Sequence, residues 1–283
     1  MSDTLDLDHL RQWTGNTETA TDVVTAQLVK ALRATLFMEI GAPQSGDIAP
    51  YTAHWCLAPS VAPMSELGPD GHPTRGGFLP PVPLPRRMWA GGRLEFLDPL
   101  RVGDEVTRES RIGDITLKQG STGTLCFVSV DHTISTARGI AIRERQDIVY
   151  RDNPPKDAQP APAAPGVPPG KYHVSHVSDP VLLFRYSALT FNGHRIHYDR
   201  DYVTKVEGYP GLIFHGPMQA AFLVNFAASL RGGVALKLFD YRGVQPLFEG
   251  GEFHINADES DDRLSLWIAN AADSPTMKAT ANW

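Results

Sequence analysis

Apolar residues recur every fourth position from Val24 through Leu28 and Leu32 to Leu36. That is the spacing of one helix face. Asp22 stands where it can help cap such a helix, and Gly41 where it can end it. A Pro- and Gly-rich loop follows, from Pro59 to Arg87. The pattern then changes to GGRLEFLDPL, DEVTRESRIGDITLKQG, TLCFVSVDHTISTA and IAIRERQDIVYR. These runs carry β-branched and aromatic residues in partial alternation, with Gly or Asp at the turns (Gly120 is one), and read as antiparallel strands.

A similar round follows further on. YSALT reads as a short strand and HYDRDYVTK as a short helix. Pro217 sits where a first helical turn tolerates proline. Met218 to Leu230 is apolar and Ala-rich, a helix stopped by Gly232 and Gly233. KLFDYRGVQPLF, GGEFHINADE, RLSLWIANA and, less clearly, TMKATANW read as strands. Between the rounds, Asp152–Gly170 (DNPPKDAQPAPAAPGVPPG) keeps no helical or strand period, so it reads as a semi-extended linker. The expected division is a first domain over 1–151, the linker over 152–170 and a second domain over 171–283. Each half is expected to hold one apolar helix and several long strands. A helix apolar nearly all round must be enclosed, and a strongly curved sheet wrapped about it would do that. The fold class is α+β. A fused pseudo-dimer is the economical reading, and two unrelated α+β domains the alternative.

Composition narrows this little. With 42% hydrophobic and 20% charged residues the chain is ordinary for a globular protein. Its net charge of −6 gives no reason to expect nucleic acid as a partner. Cys56 and Cys126 are the only cysteines, too few to staple 283 residues, so a reducing compartment is expected. The acidic start MSDTLDLDHL lacks the apolar core of a signal peptide and the arginines of a transit peptide. No run approaches membrane-spanning length. The reading is a soluble cytoplasmic protein without a membrane partner.

The chemistry concentrates in Tyr186–Gly216, YSALTFNGHRIHYDRDYVTKVEGYPGLIFHG. Asn192, His194 and His197 share one short turn, and His215-Gly216-Pro217 opens the apolar helix. Hydrating an activated double bond beside a thioester needs a base for water, an acid for the α-carbon and a donor for the enolate-like oxygen. Histidine suits the proton work, and a backbone N–H at a helix N-terminus suits the oxyanion. His197 is the candidate acid/base, Asn192 the candidate water-orienting group and Gly216 the oxyanion donor. His194, His215 and Asp199 are candidate supports, Asp199 by orienting an imidazole. The bland readings are a hydrogen-bonding surface histidine, a turn or cap asparagine, a helix-start carboxylate and a packing glycine. Three histidines raise the question of zinc, but His194 and His197 are three apart, His215 is distant and no HExxH or cysteine pair accompanies them. No metal and no cofactor is expected.

The stretch from Phe191 to His197, with HGP after it, resembles the hydratase-2 motif of the MaoC-like hot-dog enzymes. That motif runs, loosely, Gly-Asp-x-Asn-Pro-x-His and then His-Gly at the central helix. TFNGHRIHYDRDY with EGYPGLIFHGP looks most like the branch of hydroxyacyl-thioester dehydratases type 2 and mesaconyl-C4-CoA hydratases. GGFLPPVPLPRRMWAGGRLEF and PLRVGDEV extend the resemblance into the first half. It implies a double hot dog, with a degenerate first half that supplies substrate walls and a catalytic second half. His197 matches the family's catalytic histidine and Gly216 the glycine whose amide faces the thioester oxygen. Asn192 stands where the family has aspartate. An amide cannot accept a proton at neutral pH, so a one-base scheme on His197 is expected.

An acyl-CoA is the implied substrate, and a C5 dicarboxylyl-CoA the favoured one: mesaconyl-C4-CoA or itaconyl-CoA hydrated to citramalyl-CoA. Arg195, in place of the family's proline, and Arg86 or Arg87 are the candidates for its free carboxylate. Arg86, Arg87 and Arg93 are candidates for the CoA phosphates. Structural pairing is the alternative for each. The other functional readings are a 3-hydroxyacyl-thioester dehydratase of fatty-acid synthesis, a noncatalytic acyl-CoA-binding subunit and a hot-dog thioesterase. Whether two chains form a homodimer is left open.

Overall fold

A computed structural model describes residues 5–120, 123–153, 164–232, 234–260 and 263–283. Ten strands form one antiparallel sheet. The first half supplies β1 (Thr17–Val23), β2 (Arg86–Phe96), β3 (Glu105–Gly120), β4 (Gly123–Thr136) and β5 (Gly139–Arg151). The second supplies β6 (Tyr172–Val177), β7 (Leu238–Gly243), β8 (Glu252–Ser260), β9 (Arg263–Asn270) and β10 (Pro275–Asn282). Their order across the sheet is β1-β3-β4-β5-β2-β7-β10-β9-β8-β6. From each outer edge inward the halves therefore run first, third, fourth, fifth, second. They meet where β2 pairs with β7, from Gly91↔Arg242 to Glu95↔Leu238. This is a double hot dog.

The helices differ between the halves. α1 (Leu7–Leu10) is a single turn, and α2 (Ala26–Thr35) buries Val29, Leu32 and Thr35 on one stripe. Thr25 caps α2 through Oγ1, which accepts from the Leu28 N–H at 3.0 Å. Asp22 is no cap: its carboxylate accepts from the Val23 and Ala58 N–H groups. The helix is over by Leu36, ahead of the expected stop at Gly41, because Phe37 takes a left-handed φ of 54°. YSALT is not a strand. It closes α3 (Pro180–Leu189), which has Asp179 as cap and Pro180 in its first turn. A 3-10 turn (Arg195–His197) and α4 (Arg200–Lys205) occupy the stretch expected to be a short helix.

α5 (Gly216–Ser229) is the enclosed helix that its composition demands. Met218 to Asn225 are buried without a break, with Ala227 buried beyond them, and the helix packs on β2, β7, β8, β9 and β10. Each large apolar side chain it buries is worth roughly 1.5–3 kcal/mol. Of its expected stop, Gly232 is left-handed (φ 58°), and Gly233 lies outside the described residues.

The first half departs from expectation. In element order α2 corresponds to α3, and between α2 and β2, where α5's counterpart would fall, the described residues hold only the 3-10 turns Ala53–Cys56 and Met64–Glu66. The chain spends that length on a long segment that reaches the other half. One core runs through both halves, from Leu32, Leu94 and Ile134 to Phe214, Leu223 and Phe253. A second lies where Val82 and Leu84 of the long segment cover Ile112, Ile115, Val128 and Tyr150. Residues 154–163 of the expected linker lie outside the described residues. Its remaining end follows the sheet, with the Val167 N–H bonded to the Asp273 carbonyl at 2.9 Å. Among the described residues no helix is long and apolar enough to cross a membrane.

Candidate active site

After α3 the chain reverses through Phe191, at φ 50°. Asn192 follows, its N–H bonded to the Ser187 carbonyl at 2.8 Å. The Asn192 Oδ1 accepts the His194 N–H at 3.0 Å, a side-chain turn that asparagine favours. The Asn192 amide NH2 and the second lone pair of Oδ1 are then left to meet a ligand. The 3-10 turn swings His197 inward, and its Nδ1 lies 2.7 Å from the Ile213 carbonyl. A carbonyl only accepts, so Nδ1 carries the proton and Nε2 is bare. The same segment bonds back through the Ile213 N–H to the Ile196 carbonyl. It leads within three residues to Gly216, whose N–H opens α5 with no carbonyl before it to accept.

Four imidazoles lie in a row. His215 is fully buried, stacks on His197 at 3.6 Å between ring centres and sits 2.8 Å through Nε2 from the Ser187 hydroxyl. His194 meets His197 edge-on at 5.4 Å, and His72 lies 4.1 Å from His194. Burial depresses all four. His197 is pushed down to about 4, against a partial upward pull from the Ile213 carbonyl. His215 and His194 fall further, through burial and then their neighbouring imidazoles. His72 is lowered by burial and by Arg87 and Arg75, despite Asp70. At neutral pH the row is a set of uncharged bases.

His72 and Asp70 come from the first half's long segment and were not expected at the site. Their Nδ1 and Oδ2 are 3.0 Å apart, and Asp70 Oδ1 accepts the His72 N–H. Burial alone would raise the Asp70 carboxyl, but the hydrogen bonds it accepts from His72 hold it well below the usual range. The loop reaches the turn because Gly71 and Gly193 touch. A Cβ on Gly71 would stand 2.0 Å from the Gly193 carbonyl oxygen, and the Gly71 φ is +87°. The signal in the sequence was the length of the loop itself, since long structureless segments in compact folds tend to be functional.

The arginine candidates sort themselves. Arg195 is no substrate clamp: it binds Asp199 through Nε and a terminal nitrogen, donates to the Pro69 carbonyl and covers the Tyr202 ring. It latches the long segment to the turn. Asp199 correspondingly orients no imidazole, because it caps α4 and holds Arg195. Arg86 is buried on Glu207, Asn153 and the Tyr209 ring, so neither carboxylate nor phosphate reaches it. Arg93 is exposed and pairs with Asp240. Arg87 has no ion pair among the described residues, and its one side-chain neighbour in hydrogen-bonding reach is the Tyr150 hydroxyl. It lies opposite Tyr150 in the β2–β5 register, and its charge acts on both His72 and His194.

Asp70, His72 and His194 bring one donor atom each within 4.8 Å of one another. That spacing alone would admit a cation. The set fits one poorly: the Asp70–His72 pair is satisfied by its own hydrogen bond, and Arg87 and Arg75 place positive charge on the same imidazole. The clefts of about 520 and 840 Å³ contain none of these residues. They lie around Arg145, Asp147, Tyr241 and Arg242.

Residues 52–249 match the family model of the hydroxyacyl-thioester dehydratases type 2. The chain belongs to that family. It is 42% identical over 270 residues to the mesaconyl-C(4)-CoA hydratase of Chloroflexus aurantiacus, covering 95% of each chain. It is 24% identical to the mitochondrial hydroxyacyl-thioester dehydratase type 2 of Schizosaccharomyces pombe, over 76% of this chain and 78% of that one. Among solved structures, a MaoC-like dehydratase from Phytophthora capsici superposes at a TM-score of 0.70, with 15% identity and 99% of both chains covered. A double hot-dog protein from Mycobacterium tuberculosis does so at 0.56, with 12% identity over 95% and 96% of the chains. These last two speak for the fold, and the family makes the chain a hydro-lyase of thioesters.

Proposed function

We propose that this family member hydrates the double bond of a C5 dicarboxylyl-CoA, mesaconyl-C4-CoA or itaconyl-CoA, to citramalyl-CoA. In both substrates the free carboxylate is bonded to the carbon that takes the hydroxyl. The cation that reads it must therefore stand beside the group that activates water. Arg87 is the arginine that meets this condition: it has no carboxylate partner among the described residues and acts on the imidazoles next to His197. The identity to a mesaconyl-C(4)-CoA hydratase supports the same choice.

For mesaconyl-C4-CoA the bare Nε2 of His197 takes a proton from water as its oxygen bonds to the β-carbon. The π pair moves to the thioester oxygen, opposite the Gly216 N–H at the positive end of α5. His197 then returns the proton to the α-carbon. Asn192 orients the water through its NH2 and the remaining lone pair of Oδ1, the other lone pair being held by the His194 N–H. The observation that carries this scheme is the His197 tautomer, fixed by the Ile213 carbonyl with Nε2 free. The domain assignment accords with it: the second half, 171–283, holds the catalytic turn, and the first, 1–151, supplies walls and Arg87. Two buried, unpaired cysteines fit a reducing compartment such as the cytoplasm.

The test is an assay with mesaconyl-C4-CoA, itaconyl-CoA and crotonyl-CoA, following enoyl-thioester absorbance or product mass, with a thiol reagent in parallel. Hydration of the dicarboxylic substrates is expected, abolished in His197→Ala by roughly 10²–10⁴-fold. Hydration of crotonyl-CoA alone refutes the substrate. Thiol release without hydration refutes the reaction.

A further inference from the structure

The attacking water has two O–H bonds, and the hydratase reading, on which the role of His72 rests, uses one of them. The proton of the first passes to His197. The second O–H survives as the hydroxyl of the product and, in a site lined by buried groups, needs an acceptor that holds it without removing it. The residues of the turn offer only weaker or unfixed ones. Asn192 Oδ1 already accepts from the His194 N–H with one of its two lone pairs, and the lone pair that remains, on an amide oxygen, is a weaker acceptor than an imidazole nitrogen. His197 Nδ1 donates to the Ile213 carbonyl. His215 lies behind the His197 ring with its Nε2 on Ser187. His194 has no hydrogen bond from either ring nitrogen to the described residues, so nothing fixes which one is bare.

His72 differs from His194 on that point. Asp70 accepts from both its backbone N–H, at 3.1 Å, and its Nδ1, at 3.0 Å. An ionised carboxylate only accepts, so Nδ1 carries the proton and Nε2 is a bare acceptor. The carboxylate is itself fixed, because the Asp70 carbonyl accepts the Arg195 N–H at 2.9 Å and the Pro69 carbonyl accepts from the Arg195 guanidinium at 3.0 Å. The ring is about one-fifth exposed and packs 4.1 Å from His194, toward His197. Arg87 and Arg75 face it from β2 and from the long segment, and help keep it uncharged.

We propose that His72, held in one tautomer by Asp70, is a second catalytic residue supplied by the first half: its Nε2 accepts the O–H of the attacking water that is not transferred. The water's other O–H breaks to His197 Nε2, its oxygen bonds to the β-carbon, and the π pair rests on the thioester oxygen until His197 returns the proton to the α-carbon. Nothing moves onto His72, so the step balances without it. Asp70 is its positioning residue. The pair fills from outside the turn the acceptor role that an aspartate in place of Asn192 would play from within it.

The experiment compares kcat and KM for mesaconyl-C4-CoA in the full-length protein and in His72→Ala, His72→Gln and Asp70→Asn, with thermal midpoints and the ring ¹⁵N spectrum of His72. His72→Ala should lower kcat about tenfold to hundredfold with KM little changed. His72→Gln, whose Oε1 can accept, should recover most of that loss at an unchanged midpoint. Asp70→Asn should lower kcat and shift the bare nitrogen in the ¹⁵N spectrum away from Nε2. An active wild type whose kcat is indifferent to His72→Ala overturns the role of His72 alone. A wild type inert toward every thioester overturns the hydratase reading and this role with it. Activity lost to a chelator and restored by Zn²⁺ also overturns the role, and hands the three side chains to an ion.

Discussion

His197 lies under the ordinary imidazole range because it is buried, and that makes acid the sharpest probe of the site. Its folded value, about 4, lies below the unfolded one near 6.5. The neutral ring therefore contributes stability that is whole above about pH 6.5 and lost as pH falls through the folded value. Each pH unit in that window costs about 1.4 kcal/mol, so His197 alone accounts for about 3 kcal/mol by pH 4. For a chain of this size that is on the order of 6–12 °C in thermal midpoint. His72, His194 and His215 are depressed in the same direction and steepen the fall. The assay is the thermal midpoint from pH 8 to pH 4 for the wild type and for His197→Gln, which removes the titrating group. The glutamine variant should show a shallower fall. In parallel, kcat/KM from brief pH-jump assays should hold level from pH 8 to about 5 and decline only toward 4, as the base is protonated. A half-fall of kcat/KM near pH 6.5, or the same midpoint slope in His197→Gln, refutes the picture of a buried neutral base.

Three further outcomes are expected from the geometry. Arg87→Gln should raise KM for mesaconyl-C4-CoA about tenfold to hundredfold and leave crotonyl-CoA unaffected, since an ion-paired hydrogen bond is lost only where the substrate has a carboxylate; equal effects on both substrates in steady-state kinetics would remove Arg87 from that role. Gly71→Ala places a methyl against the Gly193 carbonyl at a left-handed φ, so the loop must lift. We expect a kcat loss of about tenfold or more with little change in midpoint, read by kinetics beside calorimetry. Glu207→Ala strands the buried Arg86 guanidinium and should cost about 3 kcal/mol in denaturant unfolding, with KM unmoved.

The second half was the more legible in sequence because its signals are local. An unbroken apolar helix behind His-Gly-Pro can only be enclosed, and α5 is. Local signals serve the first half as well where it is regular: its strands from Glu105 to Arg151 announce themselves by alternation and turn residues. YSALT misleads when its five residues are judged by themselves. Asp179 and Pro180, a cap and a first-turn proline just upstream, mark the helix that contains them. The same locality explains the arginines. Arg195 is two residues from His197 in sequence, yet the partners that consume it, Pro69 and Asp199, are set by packing. Asp70 and His72 lie more than a hundred residues from the turn they complete, and only the folded path of the long segment joins them. No periodicity carries that information.

The touching glycines have a historical consequence. A symmetric ancestor of this sheet would have carried a helix in each half. Here the stretch between α2 and β2 holds no such helix among its described residues, and it supplies Asp70 and His72 to the opposite turn. Rebuilding a helix there would withdraw those residues from the site that remains. The asymmetry therefore works as a ratchet: once one half lends its chain to the other, a second independent centre can return only at the expense of the first.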